Sequence, residues 1–210
     1  MTNVGLLFVG AVLFMNALAA FKLIDSKSVG YFNLFVGALQ TLTPLYLLFR
    51  GSQSDEWTIL SNGTIFLFGF TYLYVGLTNI LKLDSSGVGY YSLWVAIIAT
   101  VMGIVNQLHE SGSLQSTIIW FFWAFLWFLF FLQDGLKKKI HIYVGIVCFI
   151  ESWITATIPA LLKLTNHTGM LNDFVIILVT IITIVVFIMA LFFFKSIQSK
   201  VERVSNYVEK

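Results

Sequence analysis

Residues 142–162, IYVGIVCFIESWITATIPALL, place a carboxyl group where hydrocarbon is expected. The run is long and apolar enough to cross a bilayer, which takes about 20 residues as a helix. Glu151 lies near its middle, and no other charged residue occurs between Lys139 and Lys163. A carboxyl at that depth costs on the order of 3 kcal/mol even on the gentler insertion scales, so it is expected to turn away from lipid. It is expected to face a helix bundle or a water-filled path, and a compatible reading has it protonated and hydrogen-bonded, tying two helices together.

Composition extends this reading to the whole chain. Of 210 residues, 59% are hydrophobic and 10% charged, against about 25% charged in soluble domains. The expectation is an all-α integral membrane protein with no separate soluble domain. A dispersed net charge of +2 gives no ground for a nucleic-acid partner. The single cysteine, Cys148, falls inside an apolar run, so an intrachain disulfide and a cysteine-based metal site are both excluded. No metal or cofactor is expected. Ala17-Leu18-Ala19 resembles a cleavage site, yet no Lys or Arg precedes the first apolar run. A signal peptide needs a positive n-region, so this segment reads as a retained helix with its N-terminus outside.

Seven apolar segments emerge from length and flanking charge: 4–21, 29–49, 64–81, 88–104, 114–132, 142–162 and 174–194. With the N-terminus outside, Lys22, Lys27, Lys82, Lys137, Lys138, Lys139, Lys195, Lys200, Arg203 and Lys210 fall on the inner side. Only Arg50 and Lys163 fall outside, a strong positive-inside bias that puts the C-terminus in the cytoplasm. Residues 1–163 then form a six-span domain, 174–195 an extra transmembrane helix and 196–210 a solvated cytoplasmic tail. An internal repeat is also visible. Val29-Gly30-Tyr31-Phe32-Asn33-Leu34-Phe35-Val36 returns as Val88-Gly89-Tyr90-Tyr91-Ser92-Leu93-Trp94-Val95, with a faint third copy at Tyr143-Val144-Gly145. Two helices separate the first copies, so they share one orientation and are related by an axis along the membrane normal. Hairpins around such an axis can enclose a pore.

A rise of about 1.5 Å per residue converts position into depth. Glu151, Tyr72 and Trp123 come out at one level, with Asn16 and Trp127 about one turn closer to the cytoplasm. Trp120, Trp123 and Trp127 fall on one stripe of a helix, and so do Leu6, Val9, Leu13 and Asn16. Phe68 and Tyr72 are one turn apart, and Thr155 stands one turn from Glu151. With no carboxylate ring and no Lys or Arg inside a span, the set does not suit an ion. A narrow passage of rings with an amide and a carboxyl suits a small neutral polar solute, since selectivity follows diameter and the donors and acceptors lining a pore.

These residues resemble the bacterial urea channel and amide transporter family, which includes the acid-activated urea channels of urease producers. The resemblance runs from about Val4 to Leu162. It rests on Leu67-Phe68-Gly69-Phe70-Thr71-Tyr72-Leu73-Tyr74, Leu6-Leu7-Phe8-Val9-Gly10, Asn16, Tyr91-Ser92-Leu93, the tryptophan stripe, and Glu151 with Ile158-Pro159-Ala160. It implies a six-helix ring of hairpins around a central pore in each protomer of a homo-hexamer. It also implies passive conduction of urea or short aliphatic amides, supplying a cytoplasmic urease or amidase. By position, Leu6, Val9, Leu13 and Leu126 would line constrictions with the tryptophans, Phe68, Tyr72, Trp123 and Trp127 would form an aromatic slot, and Thr71 and Thr155 would flank it.

Two departures stand out. Acid-gated members carry histidine-rich external loops, whereas residues 51–63 hold no histidine and the second outer loop has only His109 beside Glu110. His109 and His167 are the remaining candidates for pH sensing, and acid gating is expected to be weak or absent. The seventh span is one that six-helix members lack. Among rivals, an enzyme finds no catalytic set within the spans, and a retinal photoreceptor would need a lysine in the last span, which has none. A transporter coupled to protons through Glu151 is the alternative.

Overall fold

In the computed structural model, which describes residues 2–50 and 55–208, every regular element is a helix. In order they are α1 (Thr2–Ala20), α2 (Ser26–Arg50), α3 (Glu56–Gly63), α4 (Ile65–Leu81), α5 (Ser86–Leu108), α6 (Leu114–Phe130), α7 (His141–Glu151), α8 (Ile158–Leu164) and α9 (Asp173–Val208). Two π-helical stretches extend them: Phe131–Gly135 continues α6, and Ser152–Thr157 joins α7 to α8. Seven helical runs are long and apolar enough to span a bilayer, with α3–α4 as the third, α7–α8 as the sixth and α9 as the seventh. The third starts earlier than its hydropathy suggests. Asp55 caps α3, its carboxylate accepting from the amides of Trp57 and Thr58, so the helix begins at Glu56. Residues 51–54 of the expected first outer loop lie outside the described residues.

The first six spans close into a ring. Each packs on its neighbours in order, and the sixth returns to α1. The closest pairs are α2 with α4, α5 with α6, and α7–α8 with α1. Three hairpin-like pairs result, and they explain the repeat. Val29-Gly30, Val88-Gly89 and Val144-Gly145 each open the first helix of a pair, and each glycine abuts the end of its partner helix. At Gly89 the contact is with the backbone of Gly135, so no side chain fits. At the same end, Lys22, Lys82 and Lys137 each take the left-handed conformation, with φ of 59°, 53° and 54°. One lysine thus terminates the second helix of every pair, a position usually left to Gly.

Ring closure depends on a wide turn. Pro159 has no N–H, and its ring would clash with the carbonyl of Thr155 four residues back. The sixth span relaxes there into the π-helical stretch, where Ile158 N–H donates to the carbonyl of Trp153. The bulge presses on Gly10 of α1. A Cβ at Gly10 would meet the Thr157 hydroxyl and lie 2.9 Å from the Ser152 carbonyl oxygen.

The seventh span stays outside the ring, against α6 and α7. Phe187 meets Phe122 and Phe125 with centroids 6.0 and 5.8 Å apart, and Phe194 meets Tyr143 at 5.8 Å. Most of its other large apolar side chains are exposed, as suits a helix facing lipid. It runs unbroken to Val208, so residues 196–208 continue the helix; residues 209–210 lie outside the described residues.

Gly10→Val is expected to destabilise the protein by about 1–3 kcal/mol through overpacking. Gly63→Ala, where nothing lies within 4 Å of the new methyl, should leave stability unchanged or slightly higher. Thermal unfolding in detergent compares the two.

Candidate functional site

A cavity opens at each end of the ring. One, at the end marked by Trp57, has a volume of about 410 Å³ and is lined by Leu6, Val9, Phe68, Trp120 and Trp123, with Gln40 and Asn106. The other, at the end marked by Lys22, has a volume of about 420 Å³ and is lined by Asn16, Thr71, Tyr72 and Cys148, with Thr78, Gln133 and Asp134. No residue lines both. Along α4 the change from one to the other occurs between Phe68 and Tyr72, a single turn.

That turn is filled by rings. Phe68 lies 4.6 Å from Trp123 at 79°, 4.9 Å from Trp127 at 55° and 6.4 Å from Tyr72. Trp120 meets Trp123 edge-on at 5.2 Å. Edge-to-face pairs of this kind contribute about 0.5–1.5 kcal/mol each beyond burial, so the neck is stiff. Leu13, Leu126 and Trp127 line neither cavity and belong to the buried cluster that includes these rings. The indole N–H of Trp123 donates to Thr155 Oγ1 at 3.0 Å, and that hydroxyl donates to the Glu151 carbonyl at 2.6 Å. The ring orientation of Trp123 is thereby tied to the wide turn of the sixth span.

Glu151 is fully buried and lines neither cavity. It lies within electrostatic reach of Tyr72 and Cys148. Neither carboxyl oxygen makes a hydrogen bond to a described group. The tie between two helices anticipated as one role for this side chain is not formed. Asn16 lines the Lys22-end cavity. Its amide and that of Asn33 donate to each other, at 3.2 and 2.8 Å, so both ends of Asn16 are engaged while it borders the cavity.

Several polar groups escape notice in sequence. Gln40 Nε2 donates to the Gly5 carbonyl at 2.6 Å, and Asn106 Nδ2 donates to Thr117 Oγ1 at 2.8 Å. A signal for them exists. Gly30, Asn33, Gly37 and Gln40 form one stripe, and Gly89, Ser92, Ala96, Ala99, Gly103 and Asn106 another. Small and polar residues at that period mark the sides where membrane helices approach closely, and all ten are buried.

His109 and His167 lie outside the spans, whereas His141 lines the Lys22-end cavity. His109 stacks on Trp57 at 3.9 Å and 9°, its Nδ1 accepting from the Ser111 amide at 3.1 Å. His167 is exposed, 3.1 Å from the Thr165 hydroxyl. Outside the spans, hydrogen bonds from the Thr58 hydroxyl and the Trp57 amide hold the Asp55 carboxyl below its ordinary range. The Ser86 hydroxyl and Lys137, 2.9 Å away, do the same more strongly for Asp84. Both carboxylates are lowered in the folded state, so any stability they add is present at neutral pH and lost on acidification.

A helical ring with a cavity at each end and a ring-filled neck between them defines a membrane transport protein. Residues 1–167 match the AmiS/UreI family transporter, and the chain belongs to that family of transporters and channels rather than to any family of enzymes. It is 40% identical over 168 residues to the transporter protein AmiS2 of Rhodococcus erythropolis, covering 80% of this chain and 81% of that one. Identity is 30% over 195 residues to the acid-activated urea channel of Helicobacter pylori, covering 80% and 99%. The crystal structure of the Helicobacter pylori urea channel superposes with a TM-score of 0.69 at 30% identity, covering 80% of this chain and 99% of that one. The family match ends before α9 begins.

Thr155→Val should cost about 1–3 kcal/mol, because the Trp123 N–H loses its acceptor while buried. Adding Trp123→Phe removes the orphaned donor and should recover part of that loss. A double-mutant cycle read by thermal unfolding tests the coupling.

Proposed function

We propose that this protein is a cell-membrane channel that passively conducts urea or short aliphatic amides into a bacterial cell. The observation that carries the reading is the alignment of two cavities, each with a few polar lining groups, on opposite sides of one aromatic neck, within a ring that shields them from lipid. A flat neutral amide can slide between ring faces and edges, while a hydrated ion would lose water there with no compensating charge. The relatives named above as transporters and as a urea channel point the same way. In this reading Leu6, Val9, Leu13, Trp120 and Leu126 narrow the passage, and Phe68, Tyr72, Trp123 and Trp127 form the slot. Thr71, Asn16, Glu151 and Thr155 position or border it. Residues 1–163 conduct, 174–195 anchor an additional helix, and 196–210 lie in the cytoplasm.

The end bearing Lys22, Lys82 and Lys137 faces the cytoplasm under the positive-inside rule, with the N-terminus outside. Six such protomers assemble, each with its own pore. Proton coupling through Glu151 is disfavoured, since its carboxyl reaches neither cavity. His109 and His167 are too few and too far from the neck to gate it strongly.

Stopped-flow light scattering on proteoliposomes tests this directly. Rapid solute flux is expected at about pH 5 and about pH 7.5 alike, values that bracket an ordinary histidine. A rise of about tenfold on acidification would overturn the ungated reading, and flux no faster than in empty vesicles would overturn the channel itself. Trp127→Ala and Tyr72→Ala should change urea flux, and unchanged rates in both would remove the slot from the pathway. Glu151→Gln should fold and alter conduction only modestly, since the side chain keeps its size and lines neither cavity.

A further inference from the structure

The two cavities use their polar atoms differently. In the Trp57-end cavity the NH₂ groups of Gln40 and Asn106 donate to protein partners at 2.6 and 2.8 Å. Around the lysine-end cavity Thr78 and Gln133 each keep a buried oxygen that bonds no described group. Thr78 is the sharper case. Buried hydroxyls elsewhere in the ring donate to the carbonyl four residues back: Thr71 to Leu67 at 2.6 Å, Ser92 to Val88 at 2.8 Å, Thr155 to Glu151 at 2.6 Å. Thr78 is 5% exposed and makes no such bond. A buried polar atom without a partner costs about 1–3 kcal/mol, so its retention calls for a visiting one.

Across the same cavity, Gln133 and Asp134 sit in the π-helical stretch Phe131–Gly135. Such widened turns occur frequently at functional sites because they re-aim side chains out of the regular helix register. Gln133 Nε2 makes one long contact, 3.4 Å to Asp134 Oδ2, while its Oε1 has no partner.

We propose that Thr78, Gln133 and Asp134 form a solute-holding subsite at the cytoplasmic mouth of the neck, one that recognises amide N–H groups and ranks permeants by how many they carry. It rests on the channel reading above and adds the substrate preference that the aromatic slot cannot provide. Gln133 Oε1 accepts hydrogen bonds, the Asp134 carboxyl accepts further ones beside those from Ser85 and Gln133, and the Thr78 hydroxyl can accept or donate. Urea offers two NH₂ groups to this set, whereas acetamide offers one and a methyl. A site built to receive N–H discriminates against an analogue that leaves its acceptors unpaired far better than an apolar site discriminates by size. At about 420 Å³ the cavity takes a small amide together with several waters, each of which occupies about 30 Å³. Retention stays weak, as conduction requires.

The test measures urea and acetamide flux through the full-length protein in proteoliposomes, comparing wild type with Thr78→Val and Gln133→Met. Size-exclusion elution and thermal unfolding verify that each variant is folded. The urea-to-acetamide flux ratio is expected to fall by about 3- to 10-fold in Gln133→Met and by less in Thr78→Val, in line with the loss of one hydrogen-bonding partner. An unchanged ratio in both folded variants, or an equal loss of both fluxes, would overturn the subsite while leaving the channel standing. A wild-type protein that carries neither solute would instead overturn the channel reading and the subsite with it.

Discussion

Everything in this structure depends on the closure of the sixth span against the first. Inside a bilayer a polar lumen survives only if protein covers it on every side, because hydrocarbon offers its backbone and side chains no hydrogen bonds. Closure is achieved where the bulge caused by Pro159 meets α1 at Gly10. The same bulge carries Thr155, which holds the indole of Trp123. One local departure from α-helical geometry therefore seals the ring and orients the neck.

Within that enclosure the polar groups divide by depth. The neck is built from aromatic and aliphatic side chains, and its one carboxyl, Glu151, is withdrawn behind them. Amides occupy the two sides of the neck, most of them bonded to neighbouring spans: Asn16 with Asn33, Gln40 with Gly5, Asn106 with Thr117. These bonds satisfy buried groups and also hold the spans in register. The oxygens of Thr78 and Gln133 are among the few buried atoms not so engaged.

Threefold repetition and sixfold spanning are one fact seen twice. Each pair of helices begins with a Val-Gly that lets its partner approach and ends with a lysine in the left-handed conformation. The pairing is staggered relative to chain order, since α1 pairs with the sixth span rather than with α2. The partner helix of the third copy therefore lies at the opposite terminus of the chain. The α9 helix stands apart from this scheme, packed by Phe187 and Phe194 on the outside of the ring and beyond the end of the family match.

The amino-acid sequence by itself determined the membrane class, seven apolar spans with all but the third placed to within a few residues, and the duplicated Val-Gly motif. These are set by hydropathy and helical rise, which are properties of neighbours along one chain. It also carried the resemblance to the family that the chain matches. Three things were decided only by tertiary structure: that Asn16 is engaged by Asn33, that Glu151 bonds nothing described, and that Gln133 and Asp134 border a cavity. Each depends on which atoms of distant spans come within 3 Å or so of one another. Periodicity locates the face of a helix but not the partner that meets it, and hydrogen bonds are made or lost over distances shorter than any depth estimate resolves.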